Sequence, residues 1–189
     1  MNAAAQPPAA SLLVRDAAER DVPGVAAIYA HHVRTGLATF EVVPPDDAEM
    51  ARRRAKVLAS ELPYFVAEDG GRIVGYAYAA PYRTRAGYRY TVEDSIYVDP
   101  AAVGRGVGRR LLERLIEACA ACGCRQMVAV IGDTGNLASI GLHESCGFAR
   151  VGTLPSVGFK FGRWVDSVLM QRGLAAGDRS LPGAGGARF

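Results

Sequence analysis

The chain has 189 residues, half of them hydrophobic, and a net charge of +3. That length and composition fit a single globular domain able to bury a core without metal or disulfides. The basic residues are scattered, and only Lys56 and Lys160 are lysines, which excludes the concentrated cationic face of a nucleic-acid binder.

No apolar run is long enough to cross a bilayer. The N-terminus lacks the charged and apolar regions of a secretory leader. The expectation is a cytoplasmic protein without a membrane partner. Residues 1–11 and 173–189 are rich in Ala, Gly and Pro without periodicity, and are expected to be flexible tails around one domain over residues 12–172.

After a short strand ending near Asp16, "DVPGVAAIYAHHVRT" predicts a helix with Asp21 as its cap and Pro23 in its first turn. Val22, Val25, Ile28 and Tyr29 form its apolar stripe. "DDAEMARRRAKVLAS" predicts a second, largely polar helix. "YFVAEDGGRIVGYAYAAPY" reads as a hairpin turning at Asp69-Gly70-Gly71, and "YTVEDSIYV" as the next strand. A third helix at "VGRRLLERLIEACAA" carries an apolar stripe that includes Val107, Leu111, Leu115 and Cys119. A strand at "RQMVAVI", a helix at "NLASIGLHESC" and strands around "FARVGTL" and "WVDSVLM" complete the order. It predicts an α+β fold, a mixed sheet flanked by helices, with a right-handed crossover in the middle. Cys119, Cys122, Cys124 and Cys146 have no histidine nearby in sequence and read as ordinary reduced thiols. No metal is expected.

"SIYVDPAAVGRGVG", Ser95 to Gly108, ends a strand and opens a helix through three alternating glycines. Such glycines leave amide N–H groups free to face an anion, and the helix dipole adds a favourable field. A plain tight turn is the simpler alternative. A nucleotide P-loop requires Gly-Lys-Ser/Thr, whereas this turn ends Gly108-Arg109-Arg110. A dinucleotide fold sets its glycines directly after an apolar strand. Here Asp99 to Val103 intervene, and the strand carries Thr91, Glu93, Asp94 and Ser95.

The turn resembles the pyrophosphate loop of the GNAT-type N-acetyltransferases, Arg/Gln-x-x-Gly-x-Gly/Ala. Val103, Gly106 and Gly108 stand at the matching positions, with Val103 in the place of the usual Arg or Gln. "TFE", "PYRTRAGYRYTVEDSIYV", "VAVIGDTGNLASIGLHESCGF" and "VGFKFGRWVD" together resemble phosphinothricin and methionine sulfoximine acetyltransferases, over about Arg15 to Gln171. The resemblance implies the GNAT fold, a central, mostly antiparallel sheet with one parallel strand pair. It also implies acetyl-CoA as cosubstrate and a small amino-acid analogue (phosphinothricin, methionine sulfoximine or methionine sulfone) as acceptor. A homodimer is implied as well, for which the aromatic cluster Phe159, Phe161 and Trp164 offers either core or interface.

Acetyl transfer needs a neutral amine, and an α-amino group with a pKa of about 8 is largely protonated at neutral pH. Glu93 is the candidate general base, directly or through water. Glu93, Ser95 and Tyr97 share one face of their strand by the two-residue period. The resemblance places the main chain of Ser95, Ile96 and Tyr97 beside the pantetheine, where it polarises the acetyl carbonyl. The turn residues Val103, Gly104, Arg105, Gly106, Val107 and Gly108 take the diphosphate, and Arg105 compensates for Val103. Asn136 contacts the cofactor or simply caps its helix. His143 either protonates the leaving thiolate or orients the cofactor; a packing role is the plain alternative.

On the acceptor side the resemblance implies Phe40, Tyr82, Arg83, Thr84, Val92 and Glu93, with the Arg83 guanidinium forking onto the α-carboxylate. Arg85 and Arg89 in the same loop offer further cations for that carboxylate or read as a solvated basic loop. Lys160 reaches the site or caps a loop. Two rival functions follow from the same residues: transfer to another small amine or a protein N-terminus, and a non-catalytic acyl-CoA sensor.

Overall fold

A computed structural model of the chain describes residues 12–182. Its seven strands are β1 (Leu13–Asp16), β2 (Tyr64–Asp69), β3 (Arg72–Pro81), β4 (Thr91–Val98), β5 (Gln126–Gly132), β6 (Ala149–Lys160) and β7 (Arg163–Gly173). They form one sheet in the order β1-β2-β3-β4-β5-β7-β6. The helices are α1 (Val22–Thr35), α2 (Asp47–Ala59), α3 (Val107–Ala121) and α4 (Leu137–Ser145). Every neighbouring pair is antiparallel except β4–β5, the two ends of the crossover through α3.

Strand alternation sorts the side chains into two layers. Tyr64, Tyr76 and Tyr78 stack on the face covered by α1 and α2, where the Tyr97 ring stands edge-on to Tyr29 at 5.0 Å. Glu93 and Ser95 share that face. Val92, Asp94, Ile96 and Val98 point to the opposite face, under α3 and α4. There Gly75 lets the strand approach Val107 and Leu111, since a Cβ at that position would press on both. The apolar stripe of α3 is buried as its period predicts.

Asp21 occupies the residue before α1, but its carboxylate does not cap the helix. It accepts from Arg15 at 2.6 Å and from the Ala18 amide at 2.7 Å. Arg15 thereby ties β1 to the start of α1, and through a second pair with Glu68 to β2. Asp46 does cap α2, accepting from the Glu49 amide.

The closing hairpin extends further than the sequence suggests. "VGFKFGRW" is itself strand and turn, reversing at Phe161-Gly162, both with positive φ. Packing also continues past Arg172, where a tail was expected. Leu174 is buried, and the Arg125 guanidinium donates to the carbonyls of Gly177 and Ser180. The expected tails at 1–11 and 183–189 lie outside the described residues. The four cysteines are free thiols, and among the described residues no cluster of metal-ligating side chains occurs. No helix among them is long and apolar enough to cross a membrane.

Candidate active site

The parallel pairing of β4 with β5 runs only from Thr91↔Gln126 to Asp94↔Ala129. β5 stays paired with β7 as far as Gly132↔Ser167, while β4 departs from it after Asp94. The edge of Ser95 to Val98 that faces β5 therefore has no strand partner. The connection between α1 and α2 fills the mouth of this split. Its Leu37 carbonyl lies so close to Gly132 that a side chain on Gly132 would collide with it.

Two contiguous cavities occupy the split. One, of about 450 Å³, runs from the glycine turn along Ile96, Tyr97 and Val98. The other, of about 170 Å³, holds Phe40, Glu93, Ser95 and His143. Ile96, Tyr97, Asn136 and Ser139 line both. A single groove thus joins the turn at 103–108 to the carboxylate at 93.

At the outer end, Gly104 and Gly106 have φ of 80° and 78°, the left-handed region that side chains disfavour. Among the described residues, the amides of Gly106, Val107, Gly108 and Arg109 donate to no acceptor. They stand at the positive end of α3, as an anion site requires. Gly108 serves a different need, because a Cβ there would press on Leu142 of α4. One expectation changes. The Arg105 guanidinium pairs with Asp69 at 2.6 Å, away from the groove. Val103 is exposed and lines the groove with an aliphatic side chain. The main-chain amides at this end remain free to face an anion.

At the inner end, burial and the neighbouring Asp94 charge raise the Glu93 carboxyl above the usual range. His143 is 3 % exposed. Its Nδ1 donates to the Ser139 carbonyl at 2.7 Å, and its Nε2 meets Asp94 Oδ2 at 3.0 Å. Burial alone would lower its pKa, but the Asp94 carboxylate outweighs this and raises it. Both ring nitrogens are thereby committed to protein partners, so no free ring N–H points at the acyl end. In this arrangement His143 is a buried, doubly bonded side chain on the groove wall. Asn136 Oδ1 accepts from the Ser139 amide, so its side chain caps α4 while lining the groove.

The acceptor residues are only partly brought together. The Phe40 ring lies in the inner cavity over Gly158, where any side chain would overlap it. Thr84 joins Tyr29, Arg53, Tyr64, Tyr76 and Tyr78 around a separate cavity of about 310 Å³. Arg83 lines none of these cavities and is held in solvent over the rings of Tyr82 and Tyr88, 5.1 and 5.8 Å from their centres. Val92 is fully buried beneath α3, on the face opposite Glu93, so it is a core residue rather than a substrate contact. Lys160 caps a loop: its Nζ donates to the carbonyls of Gly36 and Thr39 at 2.8 and 2.7 Å. The sequence offered no sign of Asp94 as the partner of His143, 49 residues away.

The sheet, split at its one parallel pair, thus leaves an open strand edge that runs from a helix start with free amides to the Glu93 carboxylate. Residues 25–148 match the acetyltransferase (GNAT) family. The chain is 60% identical over 169 residues to a phosphinothricin N-acetyltransferase of Alcaligenes faecalis, covering 89% of this chain and 86% of that one. It is 42% identical to an L-methionine sulfoximine/L-methionine sulfone acetyltransferase of Salmonella typhimurium, covering 85% and 93%. A phosphinothricin acetyltransferase from Sinorhizobium meliloti, solved in complex with acetyl-CoA, superposes with a TM-score of 0.89 at 44% identity, covering 92% and 94%. The chain belongs to the acetyltransferase (GNAT) family.

Proposed function

We propose that this protein transfers the acetyl group of acetyl-CoA to the α-amine of a small amino acid such as phosphinothricin, methionine sulfoximine or methionine sulfone. The observation that carries the reading is the continuity of the groove. Free amides at the start of α3 and the raised carboxyl of Glu93 are joined by an unpaired strand edge. Bound acetyl-CoA supplies an activated acyl group with a thiolate leaving group. The Val107, Gly108 and Arg109 amides hold its diphosphate, and the main chain of Ser95 to Tyr97 orients the acyl carbonyl. Glu93 takes the proton released as the amine nitrogen forms its bond to the acyl carbon, and its raised pKa suits it to that task. His143, whose protonated form the Asp94 carboxylate favours, lowers in that form the cost of negative charge developing nearby.

Arg53 is committed to Glu41 and Glu49, and Lys160 to two carbonyls. Arg83 has no acidic partner among the described residues and is oriented by two tyrosine rings, which supports it as the fork for the acceptor's α-carboxylate. The same activity in a cell would confer resistance to the herbicide phosphinothricin, and the cytoplasm, where acetyl-CoA is made, is its compartment. Phe159, Phe161 and Trp164 are 57 %, 57 % and 66 % exposed, and a homodimer covers them; light scattering at micromolar concentration should give twice the chain mass.

The test is an amine panel scored by release of free CoA. It contains phosphinothricin, methionine sulfoximine, methionine sulfone, ordinary amino acids, a polyamine and a peptide N-terminus. The first three should give the highest kcat/KM. A preference for the polyamine or the peptide overturns the acceptor assignment. Tight acetyl-CoA binding by calorimetry with no turnover on any amine makes the protein a sensor.

A further inference from the structure

Lys160 is 1 % exposed, and among the described residues no carboxylate pairs with its ammonium. A buried charge without a counter-ion is costly unless it is fully hydrogen-bonded. Here two donors go to the carbonyls of Gly36 and Thr39, and the ammonium lies 5.0 Å from the centre of the Phe161 ring. Both carbonyls belong to the connection between α1 and α2, whose Leu37, Ala38 and Phe40 line the inner cavity. That connection meets the sheet at two more points where only glycine fits, Leu37 on Gly132 and Phe40 on Gly158. It is pinned on its other side by the Tyr29 hydroxyl to Thr39 and Glu41, and by Arg53 to Glu41.

A neutral methylene chain would fill the same space without the desolvation cost of an ammonium. What the ammonium adds is a fixed distance between the β6–β7 hairpin and the backbone on either side of Leu37 and Ala38. Gly158 and Lys160 belong to the same strand, one seating the Phe40 ring and the other gripping the backbone that carries it.

We infer that Lys160 is a positioning residue for acceptor selection: through the Gly36 and Thr39 carbonyls it sets the Phe40 wall over the amine beside Glu93. This rests on the acceptor-site reading given above. The connection is accordingly a fixed wall, registered by the hairpin, and a displacement of the ring by about 1 Å is enough to cost an order of magnitude or more in productive binding.

The experiment compares the full-length wild type with Lys160→Met, Phe40→Ala, the double variant and Lys160→Arg in steady-state kinetics with acetyl-CoA and phosphinothricin. Lys160→Met should raise the phosphinothricin KM about tenfold and leave the acetyl-CoA KM within about twofold. Lys160→Arg, which keeps charge and donors, should fall between it and the wild type. The double variant should be no worse than Phe40→Ala alone, because both changes remove the same wall. If Phe40→Ala raises the phosphinothricin KM while Lys160→Met does not, or shifts both KM values equally, the role given to Lys160 is wrong. If Phe40→Ala leaves that KM unchanged, the acceptor-site reading itself fails. Should Lys160→Met not fold, Lys160→Arg decides alone: an unchanged phosphinothricin KM, or equal shifts in both KM values, overturns the inference.

Discussion

At the glycine turn, the unpaired donors are main-chain amides in a conformation set by Gly104 and Gly106, while the side chains of Val103 and Arg105 contribute an exposed aliphatic surface and a distant ion pair. At the inner end of the same groove side chains line the cavity: the half-buried Glu93, the buried Asp94–His143 pair, and the partly exposed Phe40 ring on the connection that Lys160 holds. The difference follows from what each end must bind. On the proposed reading, a diphosphate is the same in every turnover, and backbone amides would suffice for it. An acceptor must be chosen among similar amines, which calls for particular groups at fixed positions. Substitutions at the inner end should therefore change chemistry and stability sharply, and those at the turn only modestly.

The largest effect is expected from Glu93→Gln, which should lower kcat by about 10²- to 10⁴-fold while calorimetry shows acetyl-CoA affinity retained. In the wild type, kcat/KM should rise with pH through the raised Glu93 pKa, and this limb should vanish in the variant. The stability sign is the reverse of a salt-bridged carboxylate. A raised folded-state pKa means the contribution is most favourable below the ordinary value of about 4.3 and is lost as pH rises through the raised one. Glu93→Gln should then be at least as stable as the wild type at neutral pH. Unchanged turnover would remove Glu93 from the chemistry.

Asp94→Asn comes next, with a loss of about 3–5 kcal/mol in denaturant unfolding below the ordinary histidine pKa, where buried His143 must either stay charged without its carboxylate or give up its proton. His143 is raised in the fold, so the wild-type pair stabilises fully below the ordinary histidine value of about 6.5, and that contribution fades as pH climbs through the raised one. The variant's stability should be flatter across that window. A pH dependence identical to the wild type would sink the assignment of an ionised pair.

These two variants also mark what was legible beforehand. Glu93 was found by strand alternation together with the family pattern, and the glycine turn by local spacing, because both signals lie within a few consecutive residues. The order of elements and the crossover were likewise readable from local periodicity. Asp94 was passed over as one more polar residue in its strand, since its meaning depends on a histidine brought in by α4. Val92 stood beside Glu93 in the sequence, but the strand's alternation sends it to the other face. Lys160 could be read either way until the hairpin placed it beneath the connection between α1 and α2. Long-range pairings decide such residues.

Smaller effects belong to the turn. Gly106→Ala should cost about 1–2 kcal/mol through its left-handed φ alone, since a Cβ there meets no neighbour, and should weaken acetyl-CoA binding by displacing the amides of α3. The mildest case is Val103→Ala, expected within about 0.5 kcal/mol of wild-type stability and with nearly unchanged acetyl-CoA affinity. A large loss of affinity in Val103→Ala would show that the turn relies on side chains after all, and the contrast between the two ends would dissolve.

The early end of the β4–β5 ladder, after Asp94↔Ala129, has a mechanical consequence. Four residues of a central strand are left with one edge open, so a pantetheine arm laid there, as proposed above, would stand in for the absent neighbour and knit the two halves of the sheet together. Amide exchange along Ser95 to Val98 should slow when acetyl-CoA is added, and at a hundredfold excess over Kd the protein should gain about 2.7 kcal/mol. Cellular levels of the thioester would then govern how long the enzyme survives as well as how fast it works.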